Sequence, residues 1–570
     1  MPGSKFSGLQ KLVALTVITL IAIFVAAKFA HGDAAGTSTG TASDAAIFSG
    51  NGGTGFTDPN CALNAATPPT DVGAAVRDCT TANPGQLADQ VGHDKIGINF
   101  TWTLIMGSFV LFMQAGFALL TTGLTRAKNA GHMMMLNFAA FVIAFVGYWA
   151  CGYAFQFGGA AINAAPGNLG GAMVLGHLIK VHSTNGGLFG ASGFFLQSGH
   201  TYDVGALALF FFEVVFMETA GYIIVGAIAE RINFKTFIFA ELAIGGLIYP
   251  LYGNWVWGGG WLSQIGDSMN LGHGAVDFAG SGVVHATGGF AALALAVLLG
   301  PRIGKFNEDG TPNAIPGHNL PYVVIGTFIL LFGWMGFNPG STLGATDLRI
   351  SVIIVNTLTA SVFGAAAAMA FTGWTYGKPD ISMSCNGMLA GLVAITAPCA
   401  FVSPWAAALI GLIAGFLVCG GVWFFDHVAH VDDPCGAVSV HGLGGAWGVL
   451  ALGLFADGTY GSGWNGVSGN VTGLFYGDAG QFGAQVVSAA VCFAWGFGVT
   501  AVLFGAYKLV TSMRVAPEVE IQGLDVPEFG VPGYAGFVME RELHGAIPHE
   551  LLAQAGIVPA VVAKPSPVPA

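Results

Sequence analysis

Eleven largely apolar stretches of about 20 residues follow one another between residues 102 and 510. Each is close to the length a helix needs to cross the roughly 30 Å hydrocarbon core of a bilayer. Their approximate limits are 102–124, 133–157, 205–228, 236–257, 278–299, 320–341, 350–373, 384–400, 403–425, 437–456 and 482–510. Inside lipid every backbone N–H and C=O needs a partner within the protein, so only helices or closed barrels span. Stretches this long suit helices. Charged residues make up 8% of the 570, against roughly 25% in a soluble chain, too few to solvate a globular surface. The expected fold is an all-α polytopic membrane protein with eleven transmembrane helices. The 384–400 stretch is short and is kept because it preserves the alternation of charge at span ends.

Lys and Arg concentrate in cytoplasmic loops. Arg126 and Lys128 follow the first span, Arg231 and Lys235 the third, Arg302 and Lys305 the fifth, Lys378 the seventh and Arg514 the eleventh. The first strong span therefore starts outside and the C-terminus lies inside; Arg349 is the lone exception. The stretch 12–27 follows Lys5 and Lys11 and reads as a signal-peptide core or a retained extra helix. Cleavage before about Ala34 is the favoured reading. The chain then divides into residues 1–34, a Gly/Ala/Thr-rich extracytoplasmic segment 35–98, a membrane domain 99–510 and a cytoplasmic tail 511–570. Cys61 and Cys79 share the outer segment and could form a disulfide in an oxidising compartment, or remain free thiols. Longer outer insertions cover 158–204 and 457–480 and carry no obvious chemistry. The tail around RVAPEVEIQGLDVPEFG has apolar spacing suited to docking on the cytoplasmic face.

One motif occurs twice. Asp277-FAGSGVV-His285-ATGG opens the fifth span, and Asp433-PCGAVSV-His441-GLGG opens the tenth. A second echo, FVLFMQAGF against ILLFGWMGF, links the first and sixth spans. Spans one to five thus resemble six to ten. Five is odd, so the second copy runs in the opposite sense, giving a five-plus-five inverted repeat with its site near the midplane. Eight residues of helix rise about 12 Å, which brings His285 and His441 together from opposite faces.

Ionisable groups inside spans are costly and usually functional. Asp277 and Asp433 read first as helix caps, Asp433 with Pro434 as the first helical residue. Matched histidines in an inverted repeat point to a shared polar conduit, since one neutral imidazole can donate to another. A metal site lacks the further ligands it would need. Trp255 and Trp261 read as interface-belt residues. Phe216, Trp257, Phe337 and Ser341 lie among small residues and could hold a small cation by cation–π contact and one hydrogen bond.

The motifs GLTRAKN (123–129), GAIAERINF (226–234), NWVWGGGW (254–261), DFAGSGVVHATGG (277–289), GWMGFNPGS (333–341), NGMLAGLVAITA (386–397) and DDPCGAVSVHGLGGAWG (432–448) together resemble the Amt/Mep type of ammonium transporter, within the Amt/Mep/Rh superfamily. The resemblance covers about residues 99–535. It implies that Trp257, Phe216 and Ser341 recruit ammonium, that Phe216 and Phe337 form a stacked gate, and that His285 and His441 line the pore. Asp277 would shape the recruitment region without touching the ion. It further implies eleven helices per subunit, a homotrimer with a pore in each subunit, a plasma-membrane location, and in many bacterial members closure by a PII-type regulatory protein. Nothing points to a cofactor, a nucleic-acid partner or an enzyme. Glu218, inside the third span, departs from part of the family. It reads as a structural hydrogen-bonding group or, alternatively, a proton relay. Rival readings are an ammonium sensor that conducts poorly, a Rh-type neutral gas channel, and a proton- or metal-coupled carrier using Glu213 and Glu218.

Overall fold

The computed structural model describes residues 84–158, 178–180, 187–197 and 204–534. The segment 1–34, the Cys61–Cys79 pair and the tail beyond 534 lie outside the described residues. Among the described residues, ten helices are long and apolar enough to cross a membrane. They are α1 (Gly97–Leu124), α2 (Ala127–Phe157), α3 (Gly205–Ile228), α4 (Phe234–Val256), α5 (Ser281–Leu299), α6 (Leu320–Gly340), α7 (Ile350–Tyr376), α9 (Pro404–Ala429), α10 (Val438–Phe455) and α11 (Ala479–Val510). Between α7 and α9 lies the shorter apolar helix α8 (Ile381–Ile395). Asp380 starts α8 by accepting from Met383 N, and buried turns follow it to residue 401. The stretch expected to span at 384–400 is therefore a 15-residue helix plus a packed turn.

Two further departures are local. The helix that becomes α1 begins at Pro84, so residues 84–98 are not the loose chain their composition suggests. A short antiparallel hairpin, β1 (Leu178–Lys180) and β2 (Gly187–Gly190), interrupts the all-helical pattern. The hairpin straps the end of α4: Trp261 N donates to Gly187 O at 3.0 Å and Trp255 Nε1 to Leu188 O at 2.8 Å. Trp255 is thus a buried anchor packed on Trp495 rather than a belt residue.

The two echoing pairs of helices each pack together. Along α1 and α6, small residues let the backbones close: a Cβ at Gly326 would stand 2.6 Å from Gly116 O. The segments of α5 and α10 that carry the histidines cross in the same way, as described below. α3 is the most enclosed span, 94% buried within the chain, packed against α1, α2, α4 and α5. Between the ends of α3, α5 and α9 sits a buried ionic knot. Arg302 holds Glu230 at 2.6 Å and Asp432 at 2.8 Å. Residues 513–534 close over this face. Lys128 Nζ donates to Glu520 O and Ile521 O, and Asp525 accepts from the backbone of Gly131 and His132 at the start of α2.

Candidate functional site

Both histidines sit in π-helical turns. His285 lies in Ser281–Ala286, and His441 in Val438–Leu443. Such wide turns occur as single bulges, often at functional positions. Each is preceded by the same turn: an aspartate, two residues, then a glycine. Gly280 has φ 108° and Gly436 φ 71°, conformations that an L side chain rarely adopts. These glycines fold the aspartate back under the helix start. Asp277 accepts from four backbone N–H groups, those of Gly280, Ser281, Gly282 and Val283, at 2.8–3.0 Å. Asp433 accepts from Ala437 and Val438 at 3.0 and 2.7 Å. Pro434 is therefore part of the turn and not the first helical residue, and the climb from aspartate to histidine is shorter than eight helical residues would give.

Glycines set how near the two histidines come. A Cβ at Gly289 would stand 2.2 Å from Gly442 N, and one at Gly445 would stand 2.4 Å from Ser281 O. Backbone therefore meets backbone where α5 and α10 cross. The imidazoles face each other there, with Nδ1 of His441 3.2 Å from Nδ1 of His285 and ring centroids 5.3 Å apart. One Nδ1 must carry the proton and the other accept it, so the two Nε2 atoms have opposite character. Among the described residues, His285 Nε2 is buried with no protein partner. Replacing Gly289 with Ala forces this crossing apart. We expect G289A to lose about 1–3 kcal/mol, the usual cost of overpacking a close contact. Thermal melting of the purified protein checks this, with G498A, whose added Cβ meets nothing within 4 Å, as the control.

A row of rings continues from His285. Its imidazole stacks on Trp334 at 5.1 Å and on Phe337 at 5.5 Å. Phe337 stacks on Phe216 with centroids 3.8 Å apart, leaving no gap between them. Phe216 meets Trp257 edge-on at 6.3 Å. Trp257 is held by its Nε1–H donating to the backbone O of Asp277 at 2.6 Å. Beyond the stacked pair lies a cavity of about 40 Å³ lined by Phe216, Trp257 and Ser341, and also by Glu213, Phe278 and Trp464. A water-sized guest needs roughly 10–15 Å³ by this measure, so the space suits one or a few small molecules. Ser341 Oγ donates to Phe337 O at 2.8 Å, which leaves its lone pairs free to accept.

Several of these residues are not singled out by sequence reasoning. Trp334 belongs to the same GWMGFNPGS motif as Phe337 and lies one turn before it, which is a usable signal. Trp464 comes from the 457–480 insertion, and only the fold brings it to the cavity. Glu218 lies two residues beyond Phe216 and so on another face of α3. It accepts from Gln114 Nε2 at 2.5 Å, and its helical neighbour one turn on, Gly221, lies against the carboxyl of Glu241. Among the described residues, no group of three or more His, Cys, Asp or Glu could hold a metal ion. The six cysteines among them are free and buried.

Comparison with known proteins gives a consistent result. The pattern described as "Ammonium Transporter Family" matches residues 101–534. The chain is 47% identical over 465 residues to "Ammonium transporter Amt2" of Archaeoglobus fulgidus, covering 81% of this chain and 94% of that one. Among solved structures, "Sensor Amt Protein" is 34% identical with a TM-score of 0.66, covering 76% of this chain and 99% of that one. Mep2 of Saccharomyces cerevisiae is 25% identical with a TM-score of 0.61, covering 74% and 88% respectively.

Proposed function

Since the chain belongs to the Ammonium Transporter Family, we propose that it gathers ammonium at Trp257, Phe216 and Ser341, takes a proton from it, and passes ammonia between Phe216 and Phe337 and along His285 and His441. The observation that carries this reading is the 3.2 Å Nδ1–Nδ1 contact directly behind the stacked phenylalanines. A cation–π contact is worth about 0.5–2 kcal/mol. A charge at mid-bilayer costs at least about 2.5–3.5 kcal/mol. Aromatic faces can thus collect the ion but cannot carry its charge through the dry ring pair, so the proton leaves first. Neutral imidazoles then offer ammonia a donor and an acceptor in sequence. The proton is proposed to cross as well, giving net charge movement.

The same reading assigns eleven helices in a five-plus-five inverted repeat, with α8 as the eighth crossing, the membrane domain at 99–510, the mature N-terminus outside and the 511–570 tail inside. It places the chain in the plasma membrane as a homotrimer, with a PII-type regulator as a partner at the cytoplasmic face. Asp277 and Asp433 act as caps for the histidine turns. A second reading is an ammonium sensor that conducts poorly. It is favoured by the likeness to a structure titled "Sensor Amt Protein".

Purified protein in liposomes on a capacitive electrode distinguishes these. Current on ammonium jumps and none on potassium jumps is the expected result. Tight ammonium binding without current indicates the sensor. Ammonia flux without current indicates a neutral channel, and current on metal-ion jumps indicates a coupled carrier.

A further inference from the structure

Glu213 is the one ionisable side chain among the described residues that line the outer cavity. It sits on α3 one turn before Phe216, is 7% exposed, and has no arginine or lysine beside it in the cavity wall. A carboxyl enclosed this way is costly unless it is hydrogen-bonded or meets a cation. Its hydrogen bonding is built from α2. Tyr148 OH donates to Gln156 Oε1 at 2.8 Å, which turns the amide so that Gln156 Nε2 donates to Glu213 Oε2 at 3.2 Å. Tyr148 and Gln156 are both fully buried. This chain of donors fixes one carboxyl oxygen in place. Among the described residues, no protein donor is assigned to the other oxygen.

The other nearby carboxylate cannot serve. Asp277 has both oxygens occupied by four backbone N–H groups. Ser341, across the cavity, keeps acceptor lone pairs because its hydrogen goes to Phe337 O. The cavity thus presents aromatic faces, one hydroxyl oxygen and one carboxyl group around a space of about 40 Å³.

We propose that Glu213 is an anionic ligand for the incoming monovalent cation, adding a charge-assisted hydrogen bond to the aromatic contacts and Ser341. This rests on the transport reading above and extends its recruitment site. The carboxylate accepts an N–H of ammonium, or of methylammonium, and sets how dilute a solution can fill the site. The stacked pair of Phe216 and Phe337 acts downstream of it.

The test is E213Q in proteoliposomes, with currents recorded against ammonium chloride and methylammonium chloride concentration. Gln keeps the size and can still accept from Gln156. Loss of one charge-assisted hydrogen bond is expected to raise the half-saturating concentration about ten- to a hundredfold, with a much smaller fall in maximal current. An unchanged half-saturating concentration overturns the proposal, as does a fall confined to maximal current. If E213Q does not accumulate as folded protein, E213D is measured instead. It keeps the charge but withdraws it by one methylene, and a half-saturating concentration equal to wild type overturns the proposal. Absence of ammonium current in the wild type would instead count against transport itself.

Discussion

His285→Leu is expected to cut ammonium-driven current about five- to 150-fold while leaving the protein folded. Leucine is close to imidazole in bulk, so the tight crossing of α5 and α10 is retained. Only the polar atoms go. His441 Nδ1 loses its partner at 3.2 Å, and Phe337 loses the imidazole stacked on it at 5.5 Å. A buried hydrogen bond removed from one side costs about 1–3 kcal/mol. At 1.36 kcal/mol per tenfold in rate, that gives roughly five- to 150-fold. On the proposed route ammonia leaves water to pass this point, so the lost partner is felt at the barrier and not only in binding. The double variant H285L/H441L should cost little more than H285L alone, because the two imidazoles act as one unit. The measurement is peak current against ammonium concentration at matched protein density. Full current in H285L, with normal melting, would show that substrate travels elsewhere.

Sequence makes some of this legible and hides the rest for physical reasons. Apolar run length gives the helices, because lipid leaves the backbone no alternative, and the repeated Asp-x7-His spacing picks out His285 and His441 as residues to watch. It does not give their separation. That depends on Gly289 and Gly445 allowing backbone contact and on the π turns that swing the rings inward, neither of which has a period to read. Asp277 and Asp433 are legible as caps, yet the intervening turn at Gly280 and Gly436 is not, since Asp-Pro alone reads as the start of a helix. Trp464 reaches the cavity from a polar insertion 123 residues beyond Ser341 in the chain. Only tertiary packing can bring it there. Glu213 shows the same limit: its side chain is visible in the span, but its orientation by Tyr148 and Gln156 comes from another helix.

Replacement of Arg302 by Met is expected to give the largest loss of stability, about 3–5 kcal/mol at pH 7, the usual cost of removing one member of a buried ion pair. Arg302 is 4% exposed and binds two carboxylates at once. Its Nη1 lies 2.6 Å from Glu230 Oε2, and its Nε and Nη2 grip Asp432 at 2.8 and 2.9 Å. Arg126, which is partly exposed, remains as the other cation on Glu230. Among the described residues, the Asp432 side chain keeps the backbone N–H of residue 302 and the nearby charge of Arg231, but no second ion pair. Burial alone would push both carboxyls up. Arg302 with Arg126 outweighs it at Glu230 and holds that group well below the usual carboxylate range. At Asp432, burial is again outweighed by Arg302, and the group is held down to about 2. Carboxyls depressed on folding contribute stability that is complete above their unfolded values of about 3.9–4.3 and is lost as pH falls through the folded values. The deficit of R302M against wild type should therefore be largest at neutral pH and shrink between about pH 4 and pH 2. Melting in detergent at a series of pH values reads this directly, and parallel curves for the two proteins would refute it. The position gives the loss a functional reach. Glu230 lies just past the end of α3, which carries Phe216 and Glu213. Arg302 follows α5, which carries His285. Asp432 adjoins Asp433, which caps the turn of His441. Loosening this knot should therefore slacken the ring row from all three of its supports, and R302M that still folds should show a lower maximal ammonium current.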